Sequence, residues 1–435
     1  MSIQTQRRSV LKAAAIAAAG VAVTPIRSLP AASAPSEKLN LGFVGVGGRG
    51  AANVQALSGQ NMVAFADVDD QRAGKMFEKY SNVQRFRDYR KMYDAVGSKL
   101  DGIVISTPDH MHFHPAWAAM QMGLHVYLEK PLAHNVHETR TLTNYAEANN
   151  LATQLGVQRH TRDNMHRVVE LIQAGTIGDV TKVYSWAGGN RGMPLVPKNK
   201  PPVPAHLDYD LWIGPAKFRP YHPSFCPYGW RFWWDYGSGE TGNWGCHILD
   251  IPFWALDLKY PTRVDATGPE VDPDRSPKSM QTTFQFPANG NRPAVTLHWS
   301  HGAPQILQDI GASENGKYSL EKNNNTLFIG SEGMLICSFR SRRLLPQSRF
   351  ADVQPPPQTI ADSPGFHQEW VNACKGEGPS TCDFSYSGPL AETVLLGNVA
   401  YRAGGFDWDA AHMSTGSNAD AHALLKTQYR KGWEV

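Results

Sequence analysis

With 435 residues, 42 Lys and Arg against 39 Asp and Glu and a formal charge of +3, the chain has material for two or three domains and no cation excess suggesting a nucleic-acid surface. Five cysteines at irregular spacing (Cys226, Cys246, Cys337, Cys374, Cys382) resemble neither a disulfide framework nor a C-x-x-C metal site, so buried thiols are expected. Twelve Trp and thirty Pro point to aromatic clusters on long loops.

Residues 1–34 read as a targeting segment. Gln6-Arg7-Arg8-Ser9-Val10-Leu11-Lys12 is close to a twin-arginine signal, Ala13 to Val23 is modestly apolar, and Ala32-Ser33-Ala34 offers a small-residue cleavage site. The alternative is an uncleaved tail or anchor, but the apolar run is about half a bilayer span, which argues against a permanent membrane anchor. Loss of Arg7, Arg8, Lys12 and Arg27 takes the charge from +3 to −1, so the basic character belongs to the segment. The expectation is periplasmic export of a folded, cofactor-loaded chain through the twin-arginine machinery.

The next stretch, Leu39 to Gly50, reads as a strand, a glycine turn and a helix from Ala51. Gly45, Gly47 and Gly50 occupy the glycine positions of G-x-G-x-x-G, with Gly48 and Arg49 between the last two. They allow the tight turn, the approach of backbone N–H groups to a pyrophosphate, and close helix–strand packing. The following strand, Met62 to Asp67, ends in an acid 22 residues after Gly45, where a carboxylate can accept both ribose hydroxyls. An ordinary βαβ crossover is the plain alternative. The acid-ended strand favours an NAD site.

Alternation of strand and helix continues to Val157: helices from Gln71, Tyr89, Pro115 and Thr139, and strands at Asp101–Ser106, His125–Leu128 and Ala152–Val157. Thr107-Pro108 and Glu129-Lys130-Pro131 follow strand ends, the edge where open α/β sheets bind ligands. A doubly wound parallel Rossmann domain is therefore expected over 39–157. Over 158–435 the expectation is a substrate-binding α/β domain with an open, mostly antiparallel sheet. Its strands are read at Val180–Trp186, Arg263–Ala266, Gln281–Phe286, Ala294–Trp299, Thr326–Ile329 and Met334–Cys337, and its closing helices at Gly365–Cys374 and Pro389–Tyr401. Between 188 and 242 lies a long aromatic loop, too long to be without function.

At Thr107-Pro108, Glu129-Lys130-Pro131 and His247-Ile248-Leu249-Asp250 the chain resembles the Gfo/Idh/MocA family of sugar and cyclitol oxidoreductases. Trp212-Ile213-Gly214-Pro215-Ala216 and Tyr429-Arg430-Lys431-Gly432-Trp433 resemble an exported branch of it. The resemblance implies Lys130 as catalytic lysine and His247 as catalytic histidine, with Glu129 at the cofactor edge and Thr107, Pro108 and His112 around the ribose and nicotinamide. Where the family places Asp four residues before the histidine, this chain has Asn243, which cannot carry the charge that would stabilise an imidazolium.

Hydride transfer needs a base for the hydroxyl proton and a cation near the developing alkoxide, roles that suit His247 and Lys130. Residue type alone favours Lys130 as a solvated strand-end group, leaves His247 open between a ligand group and a core histidine, and allows Asn243 as a turn or cap residue. Asp235 and Asp250 are the acids that could compensate for Asn243. His110, His112 and His114 form H-x-H-x-H, but alternation across a loop-to-helix start would not aim three rings at one point, so no metal site is expected. Trp230, Arg231 and Asp235, and less strongly His222, are substrate candidates. The aromatic run from Tyr228 to Tyr236 either stacks on sugar faces or packs as a core.

The leading expectation is an NAD-dependent oxidoreductase acting on a hydroxyl or keto group of a carbohydrate, and working as a homo-oligomer. Two rivals are a glycoside hydrolase using NAD transiently and a non-catalytic binding protein, the latter hinted at by Asn243.

Overall fold

The computed structural model describes residues 38–189, 191–313, 320 and 324–435. The targeting segment expected over 1–34 lies outside the described residues. No helix among those described is long and apolar enough to cross a membrane.

Six parallel strands form the first sheet: β1 Asn40–Val44, β2 Asn61–Ala66, β3 Gln84–Phe86, β4 Gly102–Ile105, β5 His125–Leu128 and β6 Thr153–Leu155, in the order β3-β2-β1-β4-β5-β6. The order reverses between β1 and β4, which opens a crevice above their carboxyl ends. β4 is buried along its whole length because helices cover both faces. The helices are α1 Arg49–Ala56, α2 Asp70–Lys79, α3 Tyr89–Val96, α4 Phe113–Gln121 and α5 Val136–Ala148. Three of them start on an N-cap whose oxygen accepts from first-turn N–H groups: Asp69 for α2, Asp88 for α3 and Asn135 for α5. Phe43 is 1 % exposed and packs edge-on to Phe65 at 5.5 Å. Its truncation to Ala would cost about 3–5 kcal/mol.

After α6 (Asp163–Gln173) the chain builds an eight-stranded sheet from β7 Val180–Ala187, β8 Arg263–Thr267, β9 Gln281–Phe286, β10 Val295–His301, β11 Thr326–Gly330, β12 Met334–Cys337, β13 Arg342–Leu345 and β14 Phe406–Asp407. The order is β13-β12-β11-β7-β10-β9-β8-β14, and only β7 and β10 pair in parallel. Helix α7 Gly239–Ala255 packs on β7 and β10 of this sheet, α8 Phe366–Cys374 packs on β6 of the first, and α9 Phe384–Ala403 touches both sheets, at β8, β9 and β6. The chain beyond Phe366 returns to the first sheet. Leu155 N–H donates to the Cys382 carbonyl at 2.9 Å, and Arg140 of α5 pairs with buried Glu392 of α9 at 2.8 Å.

The sequence expectation omits the short edge strands β3, β13 and β14, and it departs at one helix. Residues 239–242, read as the end of a loop, open the 17-residue helix α7. Gly239, Gly242, Gly245 and Pro252 argue locally against a helix. Burial around nearly its whole circumference erases the apolar period that would reveal one. The glycines have a packing reason: a Cβ on Gly242 would sit 1.7 Å from Ser238 Oγ, and one on Gly245 would press on Val394 of α9.

Candidate active site

The glycine turn leads from β1 into α1 with Gly45 at φ +79° and Gly48 at φ +56°, where a side chain would be strained. A Cβ on Gly50 would lie 1.9 Å from the Gly45 carbonyl oxygen, so that glycine is required for the helix to close on the strand. At the end of β2 one Asp67 oxygen accepts from the Val46 and Gly47 N–H groups at 2.8 and 3.2 Å, and the other from Asp69 N–H at 3.0 Å. A carboxylate has about four acceptor positions, so Asp67 fastens the turn and keeps room for ribose hydroxyls. First-turn N–H groups of α1 have no intrahelical acceptor and meet an anion with the positive end of the helix. These residues fit a dinucleotide.

A single cavity runs from this turn to α7. Gly45, Gly47, Arg49, Asp67, Thr107, Pro108, Glu129, Lys130, Trp230, Arg231, Asn243 and His247 all line it. Glu129, 5 % exposed, accepts from Asn53 Nδ2 at 3.0 Å and Gln158 Nε2 at 2.6 Å, which fixes the strand end beside Lys130.

Lys130 Nζ donates to the Asn243 carbonyl at 2.6 Å and to Asn243 Oδ1 at 3.2 Å. Asn243 Nδ2 in turn donates to Glu240 Oε2 at 3.2 Å, and Glu240 is gripped by Arg191 at 2.7 Å. Asn243 therefore braces the lysine, where the sequence reading had paired it with the histidine. Burial lowers the Lys130 pKa most strongly. Arg231 lowers it too, while Asp109 and Glu129 pull it back up.

His247 stands one turn after Asn243 on α7, and its Nδ1 is buried with no hydrogen-bond partner among the described residues. Burial first, then the charges of Lys130, Arg159 and Arg49, holds its pKa well below 6.5. The imidazole is neutral at pH 7 and free to accept a proton. Neither expected compensating acid reaches it. Asp235 does not line the cavity; it is bonded to Arg219 Nε at 2.5 Å. Asp250 accepts from His160 Nδ1 at 3.0 Å and Tyr386 Oη at 2.6 Å.

His112, expected at the ribose and nicotinamide, does not line the cavity. Its ring nitrogens meet the Pro131 and Thr107 carbonyls at 2.7 and 2.9 Å, so it ties the ends of β4 and β5 together. His110 reaches the Tyr236 and Trp212 carbonyls and His114 the Trp433 carbonyl, so the three rings diverge.

Family models match this architecture in two blocks: an oxidoreductase-family NAD-binding Rossmann fold over residues 39–157 and an oxidoreductase-family C-terminal alpha/beta domain over 168–306. The chain belongs to the Gfo/Idh/MocA oxidoreductase family. Its N-terminal domain is accordingly an NAD-binding domain.

Among curated members it is 29% identical over 208 residues to a glycosyl hydrolase family 109 protein of Solibacter usitatus, covering 41% of this chain and 44% of that one. It is also 29% identical over 157 residues to an inositol 2-dehydrogenase of Rubrobacter xylanophilus, covering 35% and 44%. The chain thus spans less than half the length of these relatives. Two solved structures share the fold. An NAD-binding protein of Listeria innocua has TM-score 0.57 and 19% identity over 85% of this chain and 95% of that one. The WlbA dehydrogenase of Bordetella pertussis, solved with NADH and UDP-GlcNAcA, has TM-score 0.58 and 15% identity over 84% and 97%.

Within this family member, several positioning residues escape a reading of the sequence. Asp109 accepts from Ser238 N–H and Oγ at 3.1 and 2.5 Å, which locks the start of α7 to the loop after β4. Arg430 Nε donates to the Gly214 carbonyl at 3.0 Å, which joins the Trp212–Ala216 and Tyr429–Trp433 stretches. Arg159 and Arg191 carried no motif, and only long-range packing brings them to the cavity, where Arg191 pairs with Glu240 behind the wall. The aromatic run divides. Tyr228, Trp230 and Arg231 line the cavity, while Trp233 and Tyr236 join Phe225 in a buried cluster to which Trp230 also belongs. His222 bonds Ser224 Oγ at 2.8 Å and does not line the cavity. Among the described residues one group of metal-type ligands comes together, His160, Asp250 and Cys382. Its carboxylate is already engaged by the His160 and Tyr386 hydrogen bonds.

Proposed function

We propose that the protein is an NAD-dependent oxidoreductase that moves a hydride between the cofactor and a hydroxyl or keto group of a sugar, cyclitol or sugar derivative. The observation that carries this reading is one cavity holding the glycine turn, Asp67, Lys130 and His247. Bound NAD supplies the hydride acceptor. His247, neutral at pH 7, takes the hydroxyl proton, and the Lys130 ammonium faces the developing alkoxide. Asn243, held by Glu240 and Arg191, fixes the direction of Nζ. Trp230 and Arg231 wall the substrate half, with Arg231 stacked over Trp230 at 4.3 Å.

The likeness to a glycosyl hydrolase family 109 protein favours a second reading, in which oxidation, elimination and reduction at the same residues end in net cleavage. Single-turnover mixing of NAD-loaded protein with a carbohydrate panel separates the two. Accumulating NADH supports the first. Bond cleavage with no net NADH supports the second, and neither product refutes both.

We further propose twin-arginine export to the periplasm, supported by Gln6 to Lys12, and a homo-oligomer, testable by light scattering.

A further inference from the structure

Arg159 sits in the loop after β6, on the wall of the cavity that holds Lys130 and His247. Its guanidinium lies 5.2 Å from the Trp244 ring and 4.5 Å from the Phe339 ring, so two aromatic groups fix the cation. None of its guanidinium N–H groups has an acceptor among the described residues. Arg140 pairs with Glu392, Arg191 with Glu240, and Arg219 with Asp235 and Asp274, whereas Arg159, like Arg49 and Arg72 on the same cavity wall, meets no carboxylate among the described residues. The charges felt by Arg159 are all of its own sign. Burial, then Arg162, Arg340 and Arg49, push its pKa down, and no carboxylate opposes them. A cation fixed among cations, with unused donors at a cavity wall, favours an anion there.

The cofactor's diphosphate is poorly placed to be that anion. It belongs at the turn after β1, whereas Arg159 follows β6, three strands further along the sheet, and its guanidinium is held by Trp244 of α7 and by Phe339. Lys130 follows β5, between the two. Arg159 is on the substrate side.

We propose that the substrate is an acidic sugar whose oxyanion, a carboxylate or a phosphate, is received by Arg159 beside the reacting hydroxyl. This rests on the reading of the cavity as a sugar oxidoreductase site. The fixed guanidinium plane offers two parallel N–H donors to a pair of oxygens, a geometry that neutral hydroxyls do not match. Arg49, Arg162 and Arg340 add field without having to touch the ligand.

The test uses full-length NAD-loaded protein and matched sugars: glucose, glucuronate and glucose 6-phosphate, and the corresponding galactose and mannose sets. Binding is read by calorimetry and NADH by absorbance. Acidic members should bind about 10–100-fold tighter than their neutral partners, the worth of a charge-assisted pair. Arg159→Gln should reduce that acid-to-neutral ratio by a similar factor, and Arg159→Lys by less, because it keeps the charge but loses the fork. Which acid binds tighter assigns the oxyanion. Acidic sugars that bind no tighter than neutral ones, or not at all, overturn the proposal, as does an unchanged ratio in a folded Arg159→Gln protein. Acid binding with neither NADH nor cleavage would sink the oxidoreductase reading and spare the subsite. NADH from neutral sugars alone would do the reverse.

Discussion

Restoring the family's aspartate tests the Asn243 contact most directly. In Asn243→Asp a carboxylate replaces an amide whose Oδ1 is 3.2 Å from Lys130 Nζ and whose Nδ2 is 3.2 Å from Glu240 Oε2. At an effective dielectric of about 20, each unit-charge contact at that separation is worth about 5 kcal/mol, attractive to the lysine and repulsive to the glutamate. The two oppose each other in total stability, and Arg191 already balances Glu240, so the melting temperature should change little. They do not oppose each other at Lys130. An adjacent carboxylate favours the ammonium and should raise its pKa from its burial-lowered position. Acylation of Lys130 followed by peptide mass spectrometry against pH reads the free-amine fraction without any substrate. The midpoint should move up. In the pH profile of kcat/KM the alkaline limb should move with it, and the acid limb set by His247 should move less, since the Asn243 side chain is bonded to Lys130 and Glu240 and not to the imidazole. An unmoved Lys130 midpoint together with a shifted acid limb would refute the assignment.

NAD should bind more tightly than NADP, because Asp67 faces the ribose and a 2′-phosphate there meets a like charge worth about 1–4 kcal/mol. Titrating Asp67→Ala should show that gap narrowing, with Arg72, whose guanidinium lies against Gly48, left as the nearby cation; tighter NADP binding by the wild type would count against the reading. Burial lowers the pKa of His110, His114, His301 and His367 to about 4. A lowered histidine pKa leaves stability intact above the unfolded value near 6.5 and loses it as pH falls from 6.5 towards 4, by a ceiling of about 3 kcal/mol for a fully buried ring. Urea midpoints should therefore drop steeply across that window, and His110→Gln should flatten the slope; an equally steep slope would remove His110 from the account. Export is checked by Arg7→Lys with Arg8→Lys, which should hold the full-length chain in the cytoplasm. Mature protein in the periplasm would show that the segment was misread.

Local order in the sequence was sufficient for most of the first sheet. Strands β1, β2, β4, β5 and β6 and the glycine turn could be placed, and three of the helices carry their own caps, whereas the exposed edge strand β3, Gln84–Phe86, has no apolar run and was missed. Asp67 was legible because the geometry of one βαβ unit fixes its distance from Gly45. Lys130 and His247 were legible only through resemblance, since neither residue type announces its role. What the sequence could not decide was pairing across the chain. Asn243 was read as the partner of His247 because both lie in one motif, but on α7 they project from successive turns and Asn243 meets Lys130, 113 residues earlier. Asp235 was near the motif and turned away to Arg219. Helix α7 itself was hidden, because its glycines and proline read as loop and its all-round burial left no period. Arg159, Glu240 and Arg191 belong to no pattern at all. Backbone geometry repeats over a few residues and leaves its mark in sequence, whereas a side chain's hydrogen-bond partner depends on which distant surfaces the packed core brings within 3 Å, and only the tertiary structure decides that.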